Sequence, residues 1–115
     1  MTRYLFLIFG DEAGQAEATP QMWDEMMSAH QAWGTAVAAA GATIVSGEAL
    51  APSTTATTIR HSIAGPVVTD GPFAETKEVL GGYYTVDCVD LDQALALAKA
   101  LPAENVEVRP VIPTG

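Results

Sequence analysis

His30 is the residue in this 115-residue chain best suited to moving a proton. Histidine alone changes charge near neutral pH without help from its surroundings, so it can act as general acid or base. It stands within an apolar series, Trp23, Met26, His30, Trp33 and Val37. The competing reading is therefore a histidine packed in the core with one backbone partner. A second place for chemistry is the stretch Asp70-Gly71-Pro72-Phe73-Ala74-Glu75-Thr76-Lys77-Glu78. Asp-Gly and Gly-Pro are turn chemistry, so the stretch reads as a long hairpin connection. It also reads as a loop that holds a carboxylate over a cavity, with Asp70 as the candidate. Gly71 gives the backbone its tight turn there and Pro72 fixes the next φ.

Other positions carry weaker signals. Trp33 lies one helical turn from His30 and either lines an aromatic pocket or packs in the core. Lys77 either holds an anionic substrate group or is simply solvated. Tyr83 and Tyr84 alternate across a strand, so one faces the helices and the other faces away. Cys88 reads as an inert core residue. His30 and His61 lack a metal-ligand spacing, so no metal is expected. No nucleophile-elbow sequence of the GxSxG kind is present. Nor does any glycine loop match a phosphate cradle, and no cofactor is expected.

The elements that must position these residues follow from periodicity and punctuation. Residues 3–9, RYLFLIF, form a continuous apolar run read as a strand buried on both faces. Residues 10–18 read as a polar loop. Thr19 as N-cap and Pro20 at the first helical position open a helix whose buried stripe holds the His30 series, and Gly41 ends it. Residues 42–47 and 55–61 read as strands, with a short run, Pro66 to Thr69, extending or pairing with the second of these. The loop DGPFAETKEVLGG follows, and a further strand is expected at 83–89. Asp90 caps a second helix with Gln93 at the reciprocal capping position. Leu91, Ala94, Leu95 and Ala98 form its expected buried stripe, and Pro102 stops it. The last strand, 106–111, carries Pro110 and belongs at an edge. The order β-α-β-β-α-β, with one extra short strand, is the ferredoxin-like α+β pattern: an antiparallel sheet with both helices on one face. The first strand is nevertheless apolar on both sides. The uncovered face predicts a two-fold dimer with sheets packed face to face.

Composition sets the outer bounds. The length corresponds to a single domain over residues 1–115. The net charge of −9 disfavours nucleic acid and anionic membrane surfaces as partners. A hydrophobic content of 49% is too high for a disordered acidic tail. One cysteine permits no intrachain disulfide. The run Tyr4–Phe9 is too short for a signal-peptide core, and nothing approaches the ~18 apolar residues of a membrane span. The expectation is a soluble, cytoplasmic protein.

The signature DGPFAETKE resembles that of the DGPF domain family, part of the YCII-related superfamily. The resemblance extends to RYLFLIFGDEA, GEALAPSTTATTIR, LGGYYTVDCVDLDQALALAKALP and VEVRPV. It implies a ferredoxin-like fold paired into a dimeric α+β barrel. It further implies that His30, which precedes Gly41 and Gly47 in the manner of that superfamily, pairs with an aspartate in an active site. Such a carboxylate would fix the imidazole tautomer and raise its basicity. Where the pattern has its aspartate this chain reads GEALAPST, which contains none. Asp70 is the favoured acid and Glu48 the second choice.

Two functions fit. One is a small cofactor-independent enzyme in which His30, oriented by Asp70 or Glu48, acts on a small organic molecule; Trp33, Glu48 and Lys77 would then contact the substrate. The other is a non-catalytic ligand-binding or dimerisation module associated with regulation.

Overall fold

The apolar run Tyr4–Phe9 forms the middle of β1 (Thr2–Asp11), a central strand of an antiparallel sheet. The computed structural model describes residues 1–114, with Gln15 and Ala16 described by backbone alone. Beside β1 lie β5 (Glu78–Cys88) and β6 (Asn105–Pro110), and β2 (Thr43–Ala49) adds to β5. The sheet order is β2-β5-β1-β6, with every neighbouring pair antiparallel. Pro110 does lie on an edge strand, where its missing N–H is tolerated.

Two helices cover one face. In α2 (Pro20–Ala39), Thr19 caps the first turn by accepting from the Met22 N–H at 3.2 Å. Gly41, at φ 85°, takes the left-handed turn that releases the chain into β2. In α3 (Leu91–Ala100), Asp90 accepts from the Gln93 N–H at 2.8 Å, and Gln93 reaches back to the Val89 N–H at 2.7 Å. The core between helices and sheet is Tyr4, Phe6, Trp33, Val37, Val86, Cys88, Ala94, Leu97 and Leu101. On α3 the buried stripe is thus Ala94, Leu97 and Leu101, while Leu91 and Leu95 are exposed. The expected stripe was displaced around the helix.

Three further differences from the sequence reading matter for function. The segment read as a polar loop contains a short helix, α1 (Glu12–Ala16), whose first turn is held by Asp11 accepting from the Ala13 N–H. The strand expected over 55–61 does not join the sheet. As β3 (Thr57–Ser62) it pairs with β4 (Gly65–Asp70) in a separate two-stranded ribbon. And β5 starts at Glu78, so the LGG segment read as loop is strand.

The architecture is an α+β fold compatible with the ferredoxin-like pattern. On the opposite sheet face, away from α2 and α3, Leu5, Leu7 and Phe9 alternate with the core residues. The molecule is flat, 50 × 42 × 18 Å, with a radius of gyration of 16.2 Å. A compact chain of this length would have ~13 Å. Among the described residues no helix is long and apolar enough to cross a membrane.

Candidate functional site

The stripe along α2 divides where the sheet beneath it changes. Trp33 and Val37 rest on side chains of β1 and β5 and are buried. One to three turns earlier, Met22, Trp23, Met26 and Met27 stay accessible. Below them the sheet offers glycines, Gly47 of β2 and Gly81 and Gly82 of β5, which have no side chains to fill the space. The result is a cavity of about 1030 Å³ with a mainly apolar wall, lined by the Met22–Met27 turn pair, His30, Tyr84 and these glycines. Pockets of this size and character hold small organic molecules.

His30 is half-buried at the inner end of this cavity. Its Nδ1 is 2.7 Å from the Tyr84 hydroxyl, and the two rings stack with centroids 5.9 Å apart. Tyr84 in turn packs on Trp33 at 4.8 Å, and Trp33 on Phe6 at 6.1 Å. A row of aromatic rings thus ties the histidine to the core. Gly47 permits this arrangement. It is the cross-strand partner of Tyr84, and a Cβ there would run into the Tyr84 ring. Gly82 is constrained in a similar way, since its Cβ would lie 2.9 Å from the Glu48 carbonyl oxygen.

Burial pushes the His30 pKa below its ordinary 6.5, because the imidazolium loses water, while the Pro102 carbonyl works in the opposite direction. Burial pushes Tyr84 up, so its phenol stays protonated at neutral pH. In the contact with Tyr84 the ring nitrogen accepts when the imidazole proton sits on Nε2 and donates when it sits on Nδ1. His30 is a neutral base whose hydrogen-bond partner is a phenol.

A family model for the YCII-related domain matches residues 2–114. The chain belongs to the YCII-related domain family. An uncharacterised protein of Rhizobium meliloti (strain 1021) is 51% identical over 67 residues, covering 54% of each chain. The chain thus spans about half the length of the curated relative it matches.

Within this YCII-related domain the other expected site residues are dispersed. Glu48, on β2, borders the same cavity, but it pairs with Tyr83, so strand alternation turns its side chain to the sheet face opposite Tyr84 and His30. Asp70 ends β4 on the exposed ribbon, paired across from Thr57, and is not among the residues lining that cavity. Lys77 is exposed just before β5 and also stands outside it. Trp33 is buried and donates from Nε1 to the Leu97 carbonyl at 2.8 Å. It meets the site only through Tyr84. Among the described residues no three His, Cys, Asp or Glu side chains gather as metal ligands.

Tyr84 is the residue that sequence reasoning did not single out. The available signal was the strand alternation that sends one tyrosine of the Tyr83-Tyr84 pair toward the helices, where His30 was already expected. The YCII-related domain has a second cavity, about 720 Å³, at the base of the ribbon. Phe9, Leu50, Phe73 and Leu80 line it, so the signature loop contributes to a neighbouring cavity that shares Phe9 and Leu50 with that of His30.

Proposed function

We propose that the YCII-related domain binds a small organic molecule in the glycine-floored cavity and that His30 transfers a proton to or from it, without a cofactor. The observation that supports this reading is the contact of His30 Nδ1 with the Tyr84 hydroxyl at the wall of an accessible apolar cavity. A neutral imidazole can take a proton from a bound carbon or oxygen acid, and the adjoining phenol can supply or share it. Tyr84 takes the positioning role that the sequence assigned to a carboxylate. The DGPFAETKE stretch supports reading the chain as a member of the DGPF branch of its family.

A second reading is a binding module without catalysis. It is favoured by the depressed His30 pKa, since no carboxylate pairs with the ring to raise its basicity. One experiment separates the two. Small aromatic and aliphatic compounds are screened by thermal shift, and binders with an acidic C–H are then incubated in D2O. The expected result is stabilisation that His30→Ala reduces, since a ligand at ~100 times its Kd adds about 2.7 kcal/mol. Deuterium incorporation should be lost in His30→Ala and slowed in Tyr84→Phe. Stabilisation with no His30-dependent exchange would leave the binding module as the function, and no binding at all would refute both.

The functional unit we propose is a homodimer. Leu5, Leu7 and Phe9, half-buried, and Leu80 at 40% exposure give the sheet face away from α2 and α3 an apolar character. A two-fold partner of the same chain would cover it. Sedimentation at micromolar concentration should give twice the chain mass.

A further inference from the structure

The chemical class of the ligand follows from which charges face the cavity. The carboxylate-bearing residues Asp11, Glu25 and Glu104 line it, and the basic residues Arg3, Arg60, Lys77, Lys99 and Arg109 all stand elsewhere. These carboxylates have no cationic partners: the ion pairs of the described residues join Arg3 to Asp87 and Arg109 to Glu107. Two of the acids are held in place. Glu104 accepts from the Asp11 backbone N–H at 3.2 Å, and Asp11 accepts from the Ala13 N–H at 3.0 Å. Their charges stay at the cavity instead of swinging into solvent. Unpaired charges of one sign around a low-dielectric cleft sum to a field that repels anions and concentrates cations.

The rest of the wall is suited to the body of such a cation. Methionines adapt to aromatic and aliphatic shapes. Trp23, 44% exposed, presents an indole to the cavity, and the face of an indole attracts an organic cation. His30 adds no opposing positive charge, being neutral at neutral pH.

We infer that the cavity takes an organic cation, an amine carried on an aromatic or aliphatic body, and rejects carboxylates and phosphates. This rests on the reading of the cavity as a small-molecule site. It identifies the ligand's charge, which that reading leaves open.

The test uses three compounds of one shape: 3-phenylpropylamine, 3-phenylpropan-1-ol and 3-phenylpropionate. Each is titrated into the full chain while the His30 ring proton shifts are followed by NMR. The amine should bind at least about tenfold more tightly than the carboxylate, with the alcohol between them. Raising the salt concentration should narrow the gap, because exposed charges are screened. Glu25→Gln should narrow it severalfold. Glu25 is exposed, and the glutamine carbonyl can still accept from Gln21 Nε2, so the replacement leaves the fold intact, and Glu104→Gln repeats the test from another part of the chain. Equal binding of the three compounds, or preference for the carboxylate, overturns the charge inference and leaves the cavity as a ligand site. Absence of any His30 shift with all three, the neutral alcohol included, overturns the site together with the inference.

Discussion

The two halves of α2 have the same apolar spacing and opposite fates. Toward its C-terminus, Trp33 and Val37 are 3% and 1% exposed; toward its N-terminus, Met22, Trp23, Met26 and Met27 are 39–52% exposed. The helix itself does not account for the difference, since a 3-4 repeat puts both groups on one face. The sheet below accounts for it. Under the buried half it presents Phe6, Val86 and Cys88, and the two surfaces interlock. Under the open half lie Gly47, Gly81 and Gly82, and a cavity remains. An amphipathic stripe therefore marks a face that must meet something apolar. Whether that is the protein's own core or a ligand depends on what the facing element supplies.

The largest expected effect tests this contrast on paired tryptophans. Trp33→Ala should destabilise by about 3–5 kcal/mol, because it empties a filled site and orphans the Leu97 carbonyl. Trp23→Ala should cost no more than about 1 kcal/mol while weakening ligand binding. Urea unfolding of both variants checks this, and equal losses would show the two halves to be packed alike.

Filling the glycine floor comes next. Gly47→Ala places a methyl group against the Tyr84 ring. It should cost about 1–3 kcal/mol through overpacking and move the phenol off His30. An NMR titration should then show the His30 pKa moving back toward 6.5 as water enters. Unchanged titration with normal stability would mean that the ring contact does not depend on Gly47.

The smallest effect is a pH dependence confined to the open half. The folded pKa of His30 lies below 6.5, so below that pH the unfolded chain takes up a proton that the folded chain resists. Its contribution to stability is fully present above pH 6.5 and is lost as the pH falls through the interval down to the folded pKa. His30→Gln should flatten the stability profile across that window and leave the loss at lower pH, where Asp87 gives up its pair with Arg3, unchanged. An identical slope in wild type and variant would show that His30 is not desolvated.

Much of the frame was legible from local signals. Thr19, Pro20 and Gly41 mark the bounds of α2, Asp90 and Gln93 mark the start of α3, and Pro110 points to an edge. Each acts within a few residues of itself, so neighbouring residues suffice to read it. His30 was legible as the candidate for proton transfer because its residue type is out of place in its stripe. Tyr84, Gly47 and the separation of Asp70 from His30 were not legible. They depend on the cross-strand register of Tyr84 with Gly47 and on a ribbon that leaves the main sheet, and both are long-range pairings. The glycines of LGGYY read as a loop because their backbone freedom is a local property, whereas the close approach that requires them in β5 is set by β2.

The sequence by itself determined the α+β character, the bounds of the two long helices, an acidic chain with little cation to spare and a histidine on the first of those helices. Capping, periodicity and composition are short-range or additive quantities, so they survive without coordinates. Only the tertiary structure decided that the histidine meets a tyrosine, that glycines open a cavity beside it and that carboxylates without cationic partners surround that cavity. Those relations join residues tens of positions apart, and they exist only once the strands have paired and the helix has settled across them.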